Sequence, residues 1–94
     1  MKQTKTKKVK IIEKRKGCLA YDCDKVYYVQ LKEGAIASDH THKHQETIFL
    51  MKGEAELILE EEIIHIKAPA KITIPPKAYH KITAITDLIG LEIK

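Results

Sequence analysis

An all-β sandwich or barrel is the fold class that this 94-residue sequence predicts. Three observations predict it. About eight to ten short segments rich in β-branched and apolar residues follow one another. Turn residues punctuate them roughly every 6–12 positions. No segment keeps the 3.6-residue apolar period of an amphipathic helix. A chain of this length makes one domain with a small core.

Taken in order, residues 8–14 read as a first strand of mixed periodicity, broken by Lys16 and Gly17. Residues 18–21 form a short strand, and Asp22, Cys23 and Asp24 supply turn chemistry. Residues 25–32 are β-branched and aromatic, with Tyr27, Val29 and Leu31 on one face. Glu33 and Gly34 turn the chain into a histidine-bearing stretch. Residues 47–52 are the most apolar strand. If Glu46 faces inward, so do Ile48 and Leu50, while Phe49 and Met51 cover the other side; burial on both faces is expected. After Gly53, residues 54–60 alternate, with Ala55, Leu57 and Leu59 inward. Glu60, Glu61 and Glu62 read as a solvated hairpin turn. Residues 63–67 return, carrying His65 as a lone surface or half-buried histidine. Residues 70–75 alternate until Pro75 and Pro76 stop the strand. Residues 79–83 resume it, with His80 and Ile82 on one face, and residues 87–94 close the chain.

The net charge of +4 hides an asymmetry. Residues 1–16 hold eight Lys/Arg and one acid, for +7; the rest hold nine against twelve, for −3. Residues 1–8 are expected to be a flexible basic tail ahead of a domain spanning 9–94. No aromatic residue interleaves the tail lysines to stack on bases, and no helix-turn-helix pattern follows, so the composition argues against nucleic-acid binding. No apolar run reaches the roughly 18 residues of a membrane span, and no signal-peptide pattern opens the chain. A cytoplasmic protein with no membrane partner is the expectation. The Lys/Glu/Ile-rich, Trp-free composition is compatible with a thermophile. Cys18 and Cys23 do not have C-x-x-C spacing. Plain thiols and a hairpin disulfide both stay open.

The chemistry concentrates in one stretch. Three of the five histidines, His40, His42 and His44, fall within five residues, and Glu46 follows. Side chains two apart diverge on a helix but share a face on a strand, roughly 6.5 Å apart, so two imidazoles at 40 and 42 can converge on one ion. A straight strand would hold Glu46 about 20 Å from His40. For Glu46 to join them, the chain has to turn within residues 43–45. His44 then falls in the turn, off the ligand face.

The spacing Gly34, His40-x-His42, Glu46, Gly53 resembles the first motif of the cupin superfamily at every fixed position. Pro75 and His80 resemble the second, although Lys77 replaces its glycine, Ala84 its asparagine, and Pro69 an earlier glycine. The fifteen residues between Gly53 and Pro69 are similar to the short gap of small single-domain cupins. The resemblance implies a double-stranded β-helix, or jelly-roll, barrel of six to eight strands. It also implies one metal near the barrel mouth on His40, His42, Glu46 and His80. Three imidazoles and a carboxylate suit Mn, Fe, Co, Ni or Zn. Such a site carries net charge +1, attracts an anionic or enolisable ligand, and keeps two of six positions open. Lys77, for which positive φ is harder than for glycine, is expected at the pocket rim. Tyr79 and His44 are the candidates for acid/base work.

Three function classes follow. One is a metal-dependent enzyme on a small molecule, either an iron dioxygenase or an isomerase, lyase or decarboxylase acting on a sugar or keto acid. The second is a ligand- or metal-sensing module without turnover. The third is a nucleic-acid accessory protein built on the basic tail. Short barrels leave sheet edges and an apolar face, so a homodimer is expected, with residues 9–14 able to cross to the partner.

Overall fold

The computed structural model describes residues 9–93, except for the side chains of residues 13–15 and 38–40. The expected basic tail therefore lies outside the described residues. Ten strands fall within them: β1 (Lys10–Arg15), β2 (Cys18–Asp22), β3 (Val26–Leu31), β4 (Ile36–His40), β5 (Glu46–Lys52), β6 (Glu54–Leu59), β7 (Glu62–Lys67), β8 (Ala70–Ile74), β9 (His80–Ala84) and β10 (Leu88–Ile93). No helix occurs among the described residues.

All the pairings are antiparallel. One sheet runs β1-β2-β3-β10-β5-β8 and the other β4-β9-β6-β7. Strand period decides what lies between them. In β6, Ala55 and Leu57 are buried while Glu56 is exposed. In β9, His80, Ile82 and Ala84 are buried, and they pair with Leu59, Leu57 and Ala55 of β6. From the larger sheet come Val29, Leu31, Leu50, Ile72, Ile74 and Leu88. The result is one aliphatic core, the jelly-roll arrangement expected from the sequence.

One expectation needs correction. The strand over 46–52 is not buried on both faces: Phe49 is 37% exposed and Met51 53%. Both faces of β5 are apolar, but within one chain only the inner one is covered. Register aligns an outer-face row of Ile11, Tyr21, Tyr28, Leu91 and Phe49 across five neighbouring strands. The Tyr21 and Tyr28 rings meet edge-on at 5.6 Å. Of the two readings open for the cysteines, the structure has plain thiols. No disulfide joins them: Cys18 is buried in the core and Cys23 exposed.

Two turns are held by particular backbone features. Gly53, between β5 and β6, has φ +95°. A Cβ there would strike the Asp87 carbonyl and come within 2.8 Å of the Leu88 Cβ. The glutamate hairpin forms as expected at residues 60 and 61, but it is not merely solvated. The Glu60 N–H donates to the Tyr79 carbonyl at 2.9 Å, and the Tyr79 N–H donates to Glu60 Oε1 at 3.2 Å. Those bonds tie the β6–β7 turn to the residue before His80. His65 is exposed, with Nε2 2.9 Å from Glu54 Oε2.

Candidate metal centre

β4 stops at His40, two residues before the expected strand end. His42 lies in the connecting loop of residues 41–45, and His44 is exposed in its bend. The chain does return to begin β5 at Glu46, as expected. Shared strand parity therefore does not place His42. The loop carries it back over Glu46, and one backbone bond holds it there, from the Lys77 N–H to the His42 carbonyl at 2.6 Å.

That bond depends on the turn before His80. Pro75, Pro76, Lys77 and Ala78 form it, with the Ala78 N–H 3.3 Å from the Pro75 carbonyl. Proline in the second place and positive φ in the third are the pattern of a type II turn. Lys77 takes that third place at φ +66°, so lysine adopts the conformation that glycine usually supplies. A non-glycine residue there costs on the order of 1 kcal/mol. Lys77→Gly is expected to raise stability by up to about 1 kcal/mol. Denaturant midpoints measure this; a clear loss of stability would show that the lysine side chain holds the turn.

The turn delivers His80 to the first position of β9, fully buried. Its Nδ1 lies 3.1 Å from the Ala78 carbonyl. A carbonyl only accepts, so Nδ1 carries a hydrogen, and in the neutral ring Nε2 presents its lone pair. Nε2 lies 3.2 Å from Oε2 of Glu46, itself buried. His42 Nε2 approaches the same oxygen at 3.2 Å from the open side, its side chain 41% exposed. The two imidazoles are 5.1 Å apart with planes tilted by 32°.

His42, Glu46 and His80 thus offer ligand atoms all within 4.8 Å of one another. Ligands about 2.1 Å from an ion and at right angles stand roughly 3 Å apart, close to the two nitrogen–oxygen spacings here. A neutral imidazole lone pair and a carboxylate oxygen are both acceptors, and a cation satisfies them together. The donor set therefore fits a divalent transition metal. His40 is the register partner of His80 across β4 and β9; its side chain lies outside the described residues. Tyr79 is half-buried and precedes His80, and Lys77 is exposed. The Ala78 carbonyl and the Lys77 N–H are parts of the site that no side-chain motif signals, because both act through the backbone.

Two facing antiparallel sheets with a His-Glu-His group at one end define a small jelly-roll protein with a candidate metal site. A family model described as a cupin domain matches residues 27–93, and the chain belongs to the cupin family. No curated protein matches it. Among solved structures, an RmlC-like cupin from Shewanella frigidimarina is similar, with TM-score 0.76 and 18% identity over 89% of this chain and 80% of that one. KdgF from Halomonas sp. is similar at TM-score 0.74 and 18% identity, over 88% and 82%. Bacillus subtilis oxalate decarboxylase, a protein with Mn(II) centres, gives TM-score 0.73 and 21% identity over 90% of this chain but only 26% of its own. At these identities the likeness is one of fold. Among the described residues, no helix is long and apolar enough to cross a membrane.

Proposed function

We propose that this cupin holds one divalent transition metal on His42, Glu46 and His80, with His40 as fourth ligand, and binds or turns over a small molecule there. One observation carries the reading: two imidazole nitrogens, one exposed and one buried, stand 3.2 Å from the same buried carboxylate oxygen. His40 is included because it stands opposite His80 in the β4–β9 ladder.

Each residue has a distinct task. The Ala78 carbonyl fixes the His80 tautomer and aims Nε2 at the site. Glu46 supplies the negative charge from among apolar neighbours. His42 guards the open side, where a ligand enters. A divalent ion bound there supplies Lewis acidity and open positions for an oxygen ligand. His44 is not in the group of ligand atoms that lie within 4.8 Å of one another, so His44→Ala is expected to leave metal affinity within about twofold. A loss matching that of His42→Ala would place it among the ligands.

Elemental analysis of protein prepared without chelator or affinity tag tests the metal. Content far below one ion per chain, not restored by Mn, Fe, Co, Ni or Zn, would sink the reading. Oxygen uptake by the Fe(II)-loaded protein with diols and thiols identifies a dioxygenase. Ligand binding without turnover on sugars or keto acids favours the sensing module.

The outer apolar row supports a homodimer packed sheet on sheet. Five strands about 4.8 Å apart and some 20 Å long present roughly 480 Å² per copy, close to the ~1,000 Å² total of a specific interface. Phe49→Glu is expected to convert the dimer to a monomer in light scattering at micromolar concentration. A monomeric wild-type protein would end the proposal.

A further inference from the structure

The pocket beneath the site contains a second acid. Strand β10 alternates Leu88, Gly90 and Glu92 on one side. Leu88 and Gly90 are buried, paired with the buried Leu31 and Val29 of β3. One step further, Glu92 pairs with Tyr27 of β3 and Ile48 of β5, both packed against the core. Period two puts Glu92 on the inner face with them. It is half-buried.

Glu92 also lies next to the candidate centre. In the β5–β10 ladder its partner is Ile48, and Glu46 is two residues along. That diagonal relation separates Cβ atoms by roughly 7 to 8 Å, within reach of long side chains. Glu46 and Glu92 both line one internal cavity of about 40 Å³. Its other lining residues are aliphatic or glycine, among them Val29, Ile48, Leu50 and Ile82. Among the described residues that line it, Glu46 and Glu92 are the only polar ones. A cavity this small admits part of a small molecule, not a large one.

We infer that Glu92 is a ligand-positioning residue: it faces the small molecule bound at the His42–Glu46–His80 centre and accepts a hydrogen bond from it. The inference rests on the metal reading and narrows it. With Glu92 counted, the pocket holds a second carboxylate besides that of Glu46. Such a pocket disfavours a chelating dianion that has no hydrogen to donate. It favours a chelator carrying a hydroxyl or N–H on the side facing β10.

The test uses the full chain loaded with Co(II), with metal binding and ligand binding followed separately by calorimetry and visible absorption. The two probes are oxalate, a dianion without a donor, and acetohydroxamate, which keeps an N–H when it chelates. Removing one charge several ångströms away shifts relative affinity by about tenfold, so Glu92→Gln is expected to move the oxalate-to-acetohydroxamate ratio that far toward oxalate. Glu92→Asp, which keeps the charge, is expected to stay near the wild-type ratio. Glu92→Ser, with room for water, replaces the glutamine variant if that one folds poorly. A ratio unchanged within twofold in a folded, Co(II)-loaded variant overturns the inference and leaves the metal reading intact. Loss of Co(II) itself from Glu92→Gln overturns it as well, because Glu92 would then be a ligand of the ion. Wild-type protein that takes up no Co(II) overturns the metal reading and this inference with it. A purely structural glutamate would change the melting temperature and leave the ratio alone.

Discussion

Replacing His80 by alanine is expected to abolish both metal binding and the stabilisation that metal confers. Groups that only support a ligand already cost ten- to a hundredfold in affinity when removed, so losing a ligand itself should cost on the order of a hundredfold or more. The readout is thermal. Metal at a hundred times its dissociation constant stabilises a folded protein by about 2.7 kcal/mol. In a domain of this size each kcal/mol moves the melting temperature by roughly 4–8 °C, so wild-type protein should gain some 10–20 °C. His80→Ala should gain almost nothing. Because His80 is fully buried, that variant also loses packing and melts lower without metal. His42→Ala removes a ligand from an exposed position and separates the two effects: its metal-free melting should stay near wild type while the gain disappears. Equal metal-induced gains in wild type and both variants would show that the ion binds elsewhere.

Gly53→Ala is expected to be the most damaging single-methyl change in the fold. The new Cβ meets the Asp87 carbonyl and the Leu88 Cβ, and φ of +95° is itself unfavourable for an L-residue. Backbone strain and overpacking together should cost about 2–4 kcal/mol. Gly34 is the control, since it has φ +82° but no atom within 4 Å of an added Cβ. Gly34→Ala should cost only about 1 kcal/mol, from conformation alone. Denaturant unfolding of both variants checks the contrast; similar losses would refute the crowding at Gly53.

The two glycines show what kind of information was legible in the chain. Both belong to the motif spacing, and both take positive φ, but only the packed structure separates conformational need from steric need. Alternation was read correctly wherever one face is buried. Ile48 and Leu50, Ala55 and Leu57, and His80 and Ile82 all face inward as their parity says. Phe49 and Met51 escaped that reading, because an apolar outer face looks the same whether a neighbour covers it or solvent does. Distance made it clear that the chain must turn before Glu46, but not that β4 ends as early as His40. A loop residue has no parity, and His42 is held by a bond to the backbone of a residue 35 positions away. Glu92 was missed for a related reason. Its parity with Leu88 and Gly90 was visible, but only the β5–β10 register shows that it adjoins Glu46.

The bond from Lys77 to the His42 carbonyl also bears on kinetics. The chain closes the loop between 42 and 77 when it folds, so the ends of that loop are already together when an ion arrives. Little chain entropy remains to be lost on capture. Uptake by the folded protein should then follow the rate at which each ion sheds its own water. Slow-exchanging Ni(II) should enter later than fast-exchanging Mn(II), even where its final affinity is higher. A centre that had to gather its ligands from mobile loops would take up both ions at one common rate, set by the protein.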